Sequence, residues 1–323
     1  MYPFKKIVVG VEMPDSRPWN AANIAAPGRL AIRQAFEVAQ VYRIPLELVC
    51  VLPPAGGGLL TSAEAAQAEA EKDQANAESV LAELETQYAK DSDQPLQMTS
   101  SVTFGRPWLE ILKAAGDSRD SLIICGTRDR GAVSRLLFGS TGLKLLRNAA
   151  CPVWLVKPRI DDDADLDVLA ATDLSDVGQD VLATGVALGQ HLPVRLNVMH
   201  VVDDDLDRHM ARTGVPEEEL AAYRARLKHD ASVKLNEQLS ATDYRTVEKG
   251  VQIQLAEGPA DSCILSAIDE LDIDLLIMAT SGRGGIPGML FGNTAERLLP
   301  ELPCSILAVK PDDFKCPIDL SNC

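Results

Sequence analysis

The chain has 323 residues, of which 46% are hydrophobic, and a formal net charge of −16. That length exceeds one ordinary hydrophobic core and suits two domains of roughly 150 residues, while the composition is that of a soluble globular protein rather than a disordered one. The acidic balance argues against nucleic-acid or anionic-membrane partners, which need a basic surface; Arg128, Arg130, Arg135, Lys144 and Arg147 make one local basic group.

The first predicted strand is "KKIVVGVE" at 5–12, where Glu12 closes the apolar run before a signal-peptide core or membrane span could form. The expectation is a cytoplasmic protein without membrane insertion. A second strand, "LELVCVLP" at 46–53, precedes an Ala/Glu/Lys-rich segment at 62–90 whose composition favours helix. The strand "MTSSVTFG" then leads through Pro107 into a helix, "SLIICGT" runs into a glycine-containing loop, and "PVWLVKP" completes the series. The acidic "RIDDDADLD" at 159–167 reads as a solvated linker.

Beyond it the order begins again. Strands "LDVLAATD" at 166–173 and "LNVMHVVD" at 196–203 precede a helical segment at 216–240. "VQIQLAEG", a turn at Pro259, "DLLIMAT", a second glycine-rich loop and "SILAVKP" follow. Asp203, Asp204, Asp205, Asp207 and His209 could in principle hold a divalent ion, but an acidic loop after a strand is more simply a solvated one, and no metal site is expected. Seven cysteines, without a CxxC pair and mostly inside apolar runs, suggest reduced thiols. The tail at 312–323 has no core-forming period and is expected to lie over the surface or fray. The expected domains are therefore 1–158 and 167–311, with a linker at 159–166.

Alternating strands and helices with continuously apolar strands predict an α/β fold whose parallel sheet is covered on both faces. The loops "GTRDRGAVSRLLFGST" at 126–141 and "ATSGRGGIPGMLFGNT" at 279–294 align without a gap, down to "CPVWLVKP" and "CSILAVKP", so the chain is duplicated. In a parallel sheet the ligand crevice lies beyond the carboxyl ends of the strands, where these loops fall. Glycines allow an anion to approach the backbone, and Ser140, Thr141, Asn293 and Thr294 add side-chain donors. A purely structural alternative is that Asn293 and Glu296 form a capping box that starts a helix. Neither loop is a Walker A motif, since neither has the Gly-Lys-Ser/Thr ending.

With these motifs the sequence resembles the universal stress protein family in its tandem form, most closely the E-type branch. The resemblance implies two adenine-nucleotide alpha-hydrolase-like (Rossmann-like) domains, each a five-stranded parallel sheet. The family's nucleotide-binding members carry G-x-x-G, nine residues, then G-Ser/Thr after the fourth strand. The first half matches at Gly126, Gly139 and Ser140, with Thr141 following as a further donor, but has Asp129 for the second glycine. A carboxylate about 6 Å from a phosphate charge costs roughly 3 kcal/mol at an effective dielectric near 20, so this copy is expected to be degenerate. The second half keeps Gly282 and Gly292, with Ala279 for the first glycine and Asn293 for the hydroxyl residue, and Thr294 follows as a further donor. The family's adenosine-binding aspartate matches Asp173 and falls on Glu12 in the first half, and its adenine-contacting valine matches Val51 and Val201.

The resemblance thus implies ATP, with Mg, in the second half alone, and a pseudo-dimer of the two halves through their fifth strands; a homodimer is a further expectation. His191, His200, His209 and His229 sit beside no nucleophile motif, so a non-enzymatic stress-response protein is expected. Two alternatives stand beside it. One is an apolar or lipid-like ligand at the clefts, near Leu137, Phe138, Met289, Leu290 and Phe291; the other is a slow ATPase or ATP-gated switch.

Overall fold

The computed structural model describes residues 4–54, 63–90, 95–117, 119–127, 138–159, 165–202, 215–280 and 292–320. The chain divides into two compact units, Met1–Asp162 with Phe314–Cys323, and Asp163–Asp313.

In the first unit the strands are β1 (Lys6–Val11), β2 (Leu46–Leu52), β3 (Met98–Phe104), β4 (Ser121–Gly126) and β5 (Val153–Val156). The helices are α1 (Ala26–Tyr42), α2 (Ala63–Lys90), α3 (Pro107–Ala115) and α4 (Gly139–Asn148). The strands lie in the order β3-β2-β1-β4-β5, all parallel, with Val11 opposite Cys50 on β2 and Gly10 opposite Cys125 on β4. β1 is central, and its Ile7, Val8 and Val9 have no exposed surface. β-Branched side chains on consecutive residues suit a strand packed on both faces. The outer strand β3 is polar and partly exposed, as an edge requires.

The second unit repeats the plan. Its strands are β6 (Leu166–Thr172), β7 (Val194–Val202), β8 (Val251–Glu257), β9 (Leu275–Ala279) and β10 (Ser305–Val309). Its helices are α5 (Asp176–His191), α6 (Glu217–Ser240), α7 (Ala260–Glu270) and α8 (Asn293–Leu298). The order is β8-β7-β6-β9-β10, again parallel. β8 copies the partly exposed burial pattern of β3. The residues from Phe314 on group with the first unit, although they follow the last strand of the second.

Local signals account for the helix ends. Pro107 starts α3, where its missing N–H costs nothing, and Ser175 caps α5 by accepting from the Gly178 N–H at 3.2 Å. α8 differs from the sequence expectation. Its N-cap is Gly292, no side chain caps it, and Asn293 is already the first helical residue. Glu296 therefore stands one position too far along for the capping box, and its N–H bonds the Gly292 carbonyl at 3.0 Å. Among the described residues no helix is long and apolar enough to cross a membrane.

Candidate functional site

Three strands of the second unit end at the same level, and the helices that follow them leave a cleft of about 760 Å³ there. Its floor is the carboxyl ends of β6, β7 and β9, through Thr172, Asp173, His200, Val201, Met278 and Ala279. Tyr223, Leu227, Asp230 and Lys234 of α6 form one wall, and Ala260 and Ile264 of α7 contribute to another. Gly292, Asn293, Thr294 and Ala295, at the start of α8, close the far end. The volume falls within the usual range for small-molecule sites.

Asp173 is held by its own turn. Its Oδ1 accepts from the Ser175 N–H at 3.0 Å and also from the Ser175 hydroxyl. Leu174 between them has φ +61, which a branched side chain adopts only under constraint. The constraint is visible: the Leu174 N–H donates to Thr172 Oγ1 at 3.0 Å, and Gln238 Nε2 of α6 donates to the Leu174 and Ser175 carbonyls, each at 3.2 Å. Gly178 makes room for the arrangement. A Cβ there would lie 2.5 Å from Thr172 Oγ1 and 2.7 Å from Asp173 Oδ1. His200 pairs its Nδ1 with the Thr172 carbonyl at 2.8 Å, tying β7 to β6 beneath the cleft.

At the other end the Gly292 N–H donates to the Thr280 carbonyl at 2.7 Å, which closes the base of the glycine-rich loop. Thr280 is fully buried and its hydroxyl has no hydrogen-bond partner among the described residues. The sequence placed this end at a helix N-terminus, but α8 has only 6 residues, so its dipole supports a bound anion only weakly.

Asp173, Val201, Gly292, Asn293 and Thr294 thus share one cleft, while Gly282 lies outside the described residues. His200, Tyr223, Asp230 and Lys234 also line it and were not selected from the sequence. The spacing 223, 227, 230, 234 on α6 was a legible helical stripe, but its mixed chemistry gave no reason to assign it a ligand.

In the first unit Gly139 opens α4 with φ +68, Ser140 is exposed and Thr141 half-buried. Gly126 has a packing role: a Cβ there would meet the Pro27 carbonyl group and the Gly28 nitrogen at 2.6 Å. The backbone of α1 therefore lies against the end of β4. Asp129 and the cationic Arg128, Arg130 and Arg135 lie outside the described residues, as do Leu137, Met289, Leu290, Phe291 and the Asp203–His209 run. Phe138 is buried at 4% exposure with its ring 4.3 Å from Lys157 Nζ, so it packs within its unit. Among the described residues no group of three His, Cys, Asp or Glu side chains could hold a metal ion.

The model of the universal stress protein family matches residues 3–157 and again 167–310. The chain belongs to that family. By sequence it is similar to universal stress protein E of Photorhabdus laumondii, with 26% identity over 224 residues, 67% of this chain and 70% of that protein. Universal stress protein Rv2005c of Mycobacterium tuberculosis is 26% identical over 217 residues, 65% of this chain and 68% of that one. Among solved structures, a universal stress protein of Archaeoglobus fulgidus DSM 4304 superposes with a TM-score of 0.58 at 18% identity, covering 94% of this chain and 98% of that one. PA1789 of Pseudomonas aeruginosa PAO1, described as functionally unknown, gives 0.62 at 19% identity over 96% and 94%. At such identities the structural likeness speaks for the tandem α/β fold.

Proposed function

We propose that this tandem universal stress protein is a non-enzymatic stress-response protein that takes an adenine nucleotide in the cleft of its second unit. The observation that carries the reading is Asp173, a carboxylate fixed by the Ser175 backbone and hydroxyl at the edge of a cleft of about 760 Å³. A fixed acceptor suits the vicinal hydroxyls of a ribose, while Val201 and Met199 offer an apolar surface to a base. The phosphates would then extend towards Gly292–Thr294 and Lys234. Magnesium would arrive on the phosphate oxygens, as it commonly does with nucleotides. No side chain is assigned the work of positioning a water for hydrolysis, so ATP acts in this reading as a bound signal.

The test is to denature the purified protein, identify the released small molecules by mass spectrometry, and titrate the stripped protein with ATP. Stoichiometric nucleotide, or saturable ATP binding that weakens in Asp173→Ala, supports the reading. The apolar members of the lining, Met199, Val202, Leu227, Ile264 and Met278, favour one competing outcome. Recovery of an acyl compound with no ATP binding would assign the cleft to an apolar ligand instead. ATP turnover lost in Asp173→Ala would make the site an ATPase.

A further inference from the structure

The two units differ in the segment that follows their first strand. The connection from β6 to α5 is short, residues 173–175, whereas the matching connection from β1 to α1 runs over residues 12–25. Its course is fixed by several contacts. Arg17 ion-pairs with Glu69 at 3.3 Å and with Asp73, both on α2, and its guanidinium lies 5.4 Å from the centre of the Trp19 ring. The Ala21 N–H donates to Glu83 Oε2, further along α2, at 3.1 Å. Asn20 caps a single 3-10 turn (Ala21–Asn23) by accepting from the Asn23 N–H at 2.9 Å. Arg29 of α1 donates to the Ile24 carbonyl, and Ala21 and Ile24 are buried at 5% and 1% exposure. The segment then enters α1, whose Pro27 and Gly28 lie against Gly126 at the end of β4. It therefore leaves the end of β1, is tied to α2, and leads into α1, whose first turn lies against β4. In the second unit the corresponding α6 and β9 are two sides of the open cleft.

Burial at the end of β2 agrees. Cys50 and Leu52, at the end of β2, are exposed by 1% and 5%. His200 and Val202, their counterparts on β7, are partly exposed and line the cleft.

We propose that residues 12–25 are a strap that fills the first unit's crevice in place of a ligand, held to α2 through Arg17 and the Ala21 N–H. The strap would make the two copies of the fold unequal, since the matching connection in the second unit has only residues 173–175. Its consequence for ligand stoichiometry rests on the nucleotide reading above; the strap itself does not.

Thiol labelling tests it without any ligand. Cys50 stands near the carboxyl end of β2, which the proposed strap would cover, whereas Cys151, equally buried at 1% exposure, precedes β5 at the opposite end of the sheet. Purified full-length protein and the Arg17→Ala/Glu83→Ala variant would be pulsed with N-ethylmaleimide, and each cysteine quantified by peptide mass spectrometry. Cys50 is expected to label about tenfold faster in the variant, with Cys151 unchanged. Wild-type protein in 1 M sodium chloride, where charges are screened beyond about 3 Å, is expected to show the same selective rise. The proposal is overturned if Cys50 stays as slow as Cys151 under both treatments, or if the two accelerate together. ATP binding by the second unit does not enter these rates, so failure of the nucleotide reading and failure of the strap are separate results.

Discussion

Asp173 was legible as a candidate because it matches the adenosine-binding aspartate of the family the sequence resembles, yet its environment depends on residues that no motif marks. Gly178 is the plainest case, since it reads as an ordinary helix glycine until the 2.7 Å approach of a hypothetical Cβ to Asp173 Oδ1 is known. Asp173→Ala is expected to weaken ATP binding by about 10- to 100-fold, the worth of hydrogen bonds to a charged group, measured by isothermal titration. Gly178→Ala should leave the circular-dichroism spectrum native while also weakening ATP, because the added methyl displaces the carboxylate. Cys50 and Cys125 give a prediction in pH. Burial raises both thiols to about 12 from 9.0. A raised thiol pKa favours the folded state fully below about 9, and that contribution is lost as pH rises from there towards 12. The slope is about 1.4 kcal/mol per pH unit for each thiol. Thermal unfolding between pH 8 and 11 should therefore fall less steeply for Cys50→Ala/Cys125→Ala than for the wild type.

At the scale of elements, two helix starts that look alike in sequence are built differently. Ser175 accepts the Gly178 N–H and is a true cap, whereas Asn293 caps nothing. Ser175→Ala should thus cost about 1 kcal/mol and Asn293→Ala only about a few tenths, as read by chemical denaturation. The two fourth strands differ as well. Gly126→Ala drives a methyl into the backbone of α1 and should cost about 1–3 kcal/mol or more. Ala279→Gly, at the matching position of the second loop, should cost about 1 kcal/mol or less. The glycine that looked like a remnant of a phosphate loop is required by the way α1 packs.

For the whole molecule, the expected stoichiometry is one nucleotide per chain, and two equivalent sites in a titration would contradict it. Duplication, the alternation of strands and helices in each half and the parallel sheet were legible because they rest on local periodicity and on repeated segments long enough to align. The closing of the first crevice was not. Arg17, Glu69, Asp73 and Glu83 are ordinary surface charges in sequence, and their meeting depends on where α2 passes the end of β1. The cleft wall on α6 was hidden for the same reason, since a mixed stripe acquires a role only from the strand ends it faces. Apolar patterning and turn chemistry are local, and with the length and the repeat they settled the number of units and their class, while Asp173 was marked by the family resemblance. Which crevice stays open is a non-local matter: it depends on a loop's length and on contacts between residues some 50 to 60 positions apart, and these became visible when the chain was seen folded.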